Sequence, residues 1–459
     1  MNQERSKTKN ESRINWSIVV LVIVLAAFMF NSINLAINLR EGIIPDETYR
    51  YAISRYFAET WGIPQDVPIV VQSGEDLARN PFLGYWIFGR IISFETWIAP
   101  ESTEFQQLVW LRLVNSLFSL GVLIVTYLLS KALIKNRWLQ ILPVFLLANT
   151  MMFVFLAGGV SYDNPTNLAC VFGIYFLVRI LKGRNFLSNS VGWLLALLIA
   201  TLIKYSVLPL LLFTAIIWVV YILRHPGILR TLKPDHWLQY ALLVLLAFLI
   251  IGNVLLYGGN LLQFHSLTPD CTDIYSAEMC EQNVFAQRHR ELGLAEKLTI
   301  REAVRQGYPE PIRYFFEDWV RIMLMRTFGI AGHEVYYPQV ISYFEIALLW
   351  LALLGARYVR KLDFTMTSLL LLVAAYAAVL FVMNYNTELV YGFIHLSFQG
   401  RYFFPVISLA FVLVSFLLEL VDNKIIRGAT VIALIALFFY SGPIRFILYH
   451  DTVFLNWFV

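Results

Sequence analysis

Charge is what this sequence has least of: Asp, Glu, Lys and Arg make up 14% of its 459 residues, while 59% are hydrophobic. An ordinary soluble domain is about a quarter charged, so a purely cytosolic enzyme is excluded. Three cysteines rule out a disulfide-dense scaffold, and 24 glycines with 16 prolines rule out a collagen-like or low-complexity disordered chain. No CxxC, HExxH, GxGxxG or P-loop pattern occurs, which leaves metal capture by a short motif and nucleotide binding without support. The net charge of +4 is too small to argue for a nucleic-acid partner.

What the sequence has in plenty is the long apolar run. Runs at 15–37, 107–130, 138–157, 165–181, 190–203, 205–223, 237–257, 341–356, 365–383, 403–421 and 427–442 each suffice to cross, or nearly cross, about 30 Å of hydrocarbon as a helix. The expected fold is an all-α integral membrane protein of about eleven transmembrane helices, one polytopic domain over 1–459. Basic residues gather in alternate gaps: Arg5, Lys7, Lys9 and Arg13; Lys131, Lys135 and Arg137; Arg179, Lys182 and Arg184; Arg224, Arg230 and Lys233; Arg357, Arg360 and Lys361; Lys424 and Arg427. Short Lys- and Arg-rich loops stay in the cytoplasm, which places the N-terminus inside. The first run is too long for a cleaved signal and reads as a retained anchor.

The opposite side carries two long loops, both net acidic. Loop 38–106 has five basic residues against ten acids, and loop 258–340 has eight against eleven. Chemistry is therefore expected outside. Cys271 and Cys280 share the second loop at a spacing that permits a disulfide without requiring it, whereas Cys170 lies in a span. In the first loop, Tyr49, Ala52, Ile53, Tyr56 and Phe57 form a stripe at helical spacing, the mark of an amphipathic helix in the membrane interface. Pro45 suits its first position, with Asp46 and Glu47 in the first turn, where such acids serve the helix dipole, an ion pair such as Asp46 with Arg50, or catalysis. Asn80-Pro81-Phe82-Leu83-Gly84-Tyr85-Trp86 ends in aromatics of interfacial depth. In the second loop, Ile312, Phe315, Phe316, Trp319, Ile322 and Met323 make another apolar face, with Arg313, Glu317, Arg321 and Arg326 off it.

Ionisable residues at span margins are costly to place and so informative. Arg112, Asp163, Lys204, Glu345 and Arg401 all sit at outer span ends, level with Asp46 and Glu47, and no comparable series continues through the bilayer centre. A secondary transporter needs such midplane groups; an outward-facing active site does not. Structural readings stand beside the functional ones: Arg112 and Lys204 as snorkelling side chains, Asp163 as a cap ahead of Pro165, and His265, His333 and His395 as surface histidines, since no pair has metal-ligand spacing.

Taken in order, Pro45-Asp46-Glu47, Asn80 to Trp86, Tyr162-Asp163, Leu202-Ile203-Lys204-Tyr205 and Gln399-Gly400-Arg401-Tyr402-Phe403-Phe404-Pro405 resemble the GT-C superfamily of integral-membrane glycosyltransferases. That superfamily includes the protein O-mannosyltransferases and the aminoarabinose transferases of lipid A. The resemblance is closest to uncharacterised bacterial relatives and implies a multi-pass protein of the bacterial inner (plasma) membrane. It also implies transfer of a sugar, with inversion, from a polyprenyl-phosphate donor to a hydroxyl of a glycan, lipid or protein at the extracytoplasmic face. By the same resemblance Asp46 is the catalytic base, with Glu47 and Asp163 its acidic neighbours. Arg401, Lys204 and Arg112 hold the donor phosphate, and Tyr85, Gln399 and Tyr402 bind substrate. Asn80 departs from the usual Lys or His, and Gly84 from a frequent Tyr, so no phosphate contact is expected near Asn80. A divalent cation bridging Asp46, Asp163 and the phosphate is compatible with this residue set, though nothing in the spacing demands it. The competing class is a non-catalytic flippase or exporter of lipid-linked glycans, which needs the cavity and the cations without the base.

Overall fold

The computed structural model describes residues 15–62, 79–231, 236–281, 283, 287, 298–332, 334–335, 338–391, 398–449, 454 and 456–459. The basic tail before residue 15, Lys233, His333 and His395 lie outside them. Among the described residues, ten helices are long and apolar enough to cross a membrane, or eleven when Arg137–Ala148 and Met151–Ala157, bent by 68° at their junction, count as one broken span. The bend has a local cause. Asn149 and Thr150 turn their side chains back onto the carbonyls of Phe145 (2.8 Å) and Leu146 (2.9 Å), the hydrogen bonds by which such residues bend a helix.

Caps set several span ends. Thr103 and Gln106 form a reciprocal capping box on Glu104–Leu133, and Asn136 and Asn423 cap the helices that follow them. Three expected bounds shift. The span placed at 237–257 continues through a π-helical turn, Val254–Gly258, to Phe264, so position 258 lies within a helix. The span placed at 365–383 belongs to a helix running Phe364–Tyr391, and the one placed at 107–130 to a helix that begins at Glu104.

Following the crossings, the described residues of 39–62, 79–103, 158–162, Lys204, 265–281, 298–332 and 398–399 all emerge on one face. The first of these carries two helices, Glu47–Glu59 and Leu83–Ile98. They pack closely because Gly89 has no side chain: a Cβ there would stand 2.5 Å from that of Phe57. The expected stripe is thus turned inward in part, with Ile53 and Phe57 buried and Tyr49 exposed. The second apolar face also divides. Trp319 and Met323 face the core, Trp319 bonded to Asn384 at 3.0 Å, while Ile312 and Phe316 point outward. A π-helical turn at Phe315–Trp319 changes the helical phase between the two sets. Cys271 and Cys280 are joined as a disulfide.

Candidate functional site

The site begins with glycine. Gly158 and Gly159 precede the Tyr162-Asp163 turn, and Cβ atoms on them would stand 2.7 Å from Leu35 and 2.4 Å from Ile44. Bare backbone lets this turn press against the segment leaving the first span, which brings Asp46 and Asp163 to one place. Asp46 is not in the first helical turn as expected: the helix starts at Glu47, and Asp46 stands before it in the left-handed region at φ 60°, a conformation short polar residues tolerate. The chain reverses there, so the carboxylates of Asp46 and Glu47 go different ways.

Glu47 goes inward. It is fully buried and paired with the equally buried Arg112. Glu47 Oε1 accepts from Arg112 Nε at 2.8 Å and from the backbone N–H of Val160 at 3.0 Å. Arg112 further donates to the carbonyls of Ala36 (3.1 Å), Leu39 (2.6 Å) and Arg40 (3.1 Å) and, through Nη2, to Glu47 Oε2. A guanidinium has five N–H bonds, and all five are spent. Arg112, expected at the donor phosphate, here clamps together the end of the first span, the Asp46 loop and the Asp163 turn. Glu47 belongs to the same clamp and touches no open space.

Asp46 goes outward, its side chain 41% exposed. Its Oδ2 accepts from Arg50 Nη2 at 3.1 Å and from Arg401 Nη2. Asp163, 2% exposed, is paired with Lys204 and lies 3.8 Å from both Arg50 and Arg401. Ser161 knits the set together, accepting from Arg50 Nη1 at 2.6 Å and donating to Asp163 Oδ2 at 3.2 Å. Burial pulls the Lys204 ammonium below the ordinary lysine range, against the opposing pull of Asp163. Three cations thus meet two carboxylates. Arg401 Nε and Nη1 are buried without a hydrogen-bond acceptor, a costly state unless a further acceptor completes it.

Aromatic rings fix the cations. Arg50 lies 4.2 Å over the ring of Tyr162, and Lys204 Nζ is 4.7 Å from that of Tyr402. Tyr85, 2% exposed, meets Tyr162 edge-on at 5.4 Å, so it supports that ring from behind. Gln399 is buried beside Arg401 and closes the Gly400–Phe403 turn by accepting from Tyr402 N at 2.9 Å. Glu345 is not part of the cluster; its nearby cation is Arg321 at 3.9 Å. His265 ends the Gly259–Phe264 helix. Arg50 is the site residue whose weight the sequence understated. Its spacing of four from Asp46 reads as helix electrostatics, and its reach to Asp163 depends on the fold. Among the described residues no group of three or more His, Cys, Asp or Glu is placed to hold a metal; the donor set, with cations facing each carboxylate, suits an anion.

Neither a protein-family model nor a curated protein sequence matches the chain. Solved structures do. The archaeal oligosaccharyltransferase AglB of Archaeoglobus fulgidus, in complex with an inhibitory peptide and a dolichol-phosphate, matches at TM-score 0.50 and 13% identity, over 94% of this chain and 56% of that one. The two share a fold. ArnT of Cupriavidus metallidurans, bound to undecaprenyl phosphate, matches at TM-score 0.49 and 14% identity, over 88% of this chain and 60% of that one. The chain spans less than two thirds of the length of the structures it matches.

Proposed function

We propose that this protein is a membrane glycosyltransferase that moves a sugar from a polyprenyl-phosphate donor to an acceptor hydroxyl, at the extracytoplasmic face of a bacterial inner membrane. One observation carries the reading: a half-exposed carboxylate, Asp46, is set against Arg401, a buried guanidinium with two nitrogens, Nε and Nη1, lacking an acceptor. In this reading the first takes a proton and the second receives a departing anion. The acceptor oxygen attacks the anomeric carbon, its proton passes to Asp46, and the bond from that carbon to the phosphate oxygen breaks. A single displacement inverts the anomeric centre. The phosphate leaves toward Arg401, with Arg50 and Lys204 balancing the charge, so stabilisation grows as the transition state forms.

The GT-C-like fold supports this reading, and the dolichol-phosphate held by AglB is a lipid phosphate of the class proposed. Confinement of the charged cluster to one face favours transfer over a flippase, which needs a polar path to the other face. The test is incubation of the purified protein with a panel of polyprenyl-phosphate sugars, following release of the lipid phosphate with and without acceptors. Release that survives unchanged in Asp46→Asn, at normal protein levels, removes the base and with it the mechanism.

A further inference from the structure

Asp46 sits at the end of a short irregular segment, residues 39–45, that leaves the first span. Its left-handed backbone is one that a non-glycine residue keeps only where the surroundings hold it. Two holds are already described: Arg112 takes the carbonyls of Leu39 and Arg40, and Gly159 admits the side chain of Ile44. A third comes from beyond the last span, Lys424–Leu448. Residues 457–459 run antiparallel to 38–40. Arg40 donates its backbone N–H to the Trp457 carbonyl at 2.8 Å, Val459 donates to that of Asn38 at 2.7 Å, and Leu39 stands opposite Phe458. So short a ladder has no stability of its own, and side chains must fix it.

The side chain that does so is Trp457. Its ring packs against Phe454 at 4.7 Å, Phe155 at 6.0 Å and Phe446 at 6.4 Å, and Phe155 is fully buried in the Met151–Ala157 helix that leads to Gly158. Trp457 also meets Gly332, which joins the antiparallel strands Ile330–Ala331 and Glu334–Val335. At φ 59° Gly332 takes a conformation that favours glycine, and a Cβ there would stand 3.0 Å from the Ile43 carbonyl oxygen and 3.1 Å from the Trp457 ring. Trp457, Gly332 and Ile43 thus share one contact, three residues before Asp46. The hairpin continues the Val320–Phe328 helix, and a Cβ on Gly400, next to Arg401, would stand 2.6 Å from the Arg326 carbonyl of that helix. Residues 326–332 therefore touch the Asp46 segment at one end and the Arg401 turn at the other.

We propose that Trp457 is a positioning residue for the catalytic base: with Gly332 it clasps residues 38–44, so that Asp46 keeps its reversed backbone and faces Arg401. The inference rests on the reading of Asp46 as the base and adds what holds it in place. Trp457 acts through Asp46 and leaves the cations Arg50, Lys204 and Arg401 where they are. Loosening the clasp therefore lowers kcat and spares the KM for the donor, because a displacement of about 1 Å at a reacting group is enough to cost about 10²-fold in rate.

The experiment compares the purified, unaltered full chain with Trp457→Ala, Trp457→Phe and Gly332→Ala by two readouts. Hydrogen exchange is followed by mass spectrometry over residues 38–47, with residues 104–133 as the internal reference, and release of lipid phosphate from polyprenyl-phosphate sugars gives kcat and KM. In Trp457→Ala, exchange over 38–47 should quicken about tenfold with the reference unchanged, and kcat should fall about 10- to 100-fold with donor KM within about twofold. Trp457→Phe, which keeps a ring against Phe454, should lose less on both. Gly332→Ala pushes on the Ile43 carbonyl without emptying the aromatic cluster, so it tests the same contact where Trp457→Ala fails to fold. In an Asp46→Asn background, Trp457→Ala should cost at most about twofold more in rate, because a residue that acts through Asp46 then has nothing to position. A full further loss there marks general destabilisation and overturns the role, as does unchanged kcat with quickened exchange. Unchanged exchange over 38–47 overturns the clasp whatever the activity. Full turnover in Asp46→Asn instead removes the base, a result distinct from either.

Discussion

Asp46 and Glu47 are adjacent in sequence and opposite in setting. Glu47 and Arg112 form a pair sealed from solvent, in which every guanidinium N–H has an acceptor. Asp46 and Arg401 form a pair with one partner half-exposed and the other retaining two buried nitrogens, Nε and Nη1, without acceptors. The first arrangement is what a buried ion pair requires if it is to be stable: good geometry and full hydrogen bonding. The second is incomplete, and incompleteness of that kind is where a ligand gains affinity. Charge type alone does not separate a structural pair from a working one; satisfaction does.

The contrast breaks most sharply at Asp46. Asp46→Asn keeps the shape and removes the proton acceptor, so transfer should fall by about 10²- to 10⁴-fold with melting temperature and lipid binding little changed. A comparable fall in stability would show that Asp46, too, is structural. Glu47→Ala should do the reverse and leave Arg112 buried without its carboxylate, at a cost of about 3–5 kcal/mol in stability, read as a lowered melting midpoint in detergent. The double change Glu47→Leu with Arg112→Met removes both charges and should recover part of that loss, although the carbonyls of Ala36, Leu39 and Arg40 then lose their donor. No recovery would mean that Arg112 works mainly as a cap on the first span.

Much of this is legible in the sequence, and the limit has a physical form. Apolar runs mark the spans because hydrocarbon thickness sets helix length, and alternation of crossings puts Asp46, Asp163, Lys204 and Arg401 on one face. Which acids and bases pair is not legible. Glu47 reaches Arg112 across 65 positions, and Arg401 reaches Asp46 across 355. Those partners are set by the reversal at Asp46 and by the close approach at Gly158 and Gly159, neither of which carries a periodic signal. Depth does not tell Arg112, whose N–H bonds are all engaged inside the fold, from Arg401. Arg50 is undervalued for the opposite reason, since an i, i+4 pair with Asp46 already explains it.

Arg401 gives a smaller effect than Asp46 and a more discriminating one. Arg401→Ala removes a charge that stabilises the departing phosphate, and about 10²- to 10³-fold in rate is typical for one such donor. Lysine at the same position restores the charge but not the planar fork whose Nη2 holds Asp46 while Nε and Nη1 stay available. If the under-satisfied guanidinium is what distinguishes this pair from Glu47 and Arg112, lysine should rescue donor binding more than turnover, seen as a KM near that of the unaltered chain with a depressed kcat. Equal rescue of both would reduce Arg401 to a point charge, and the distinction between the two pairs would then lie only in exposure.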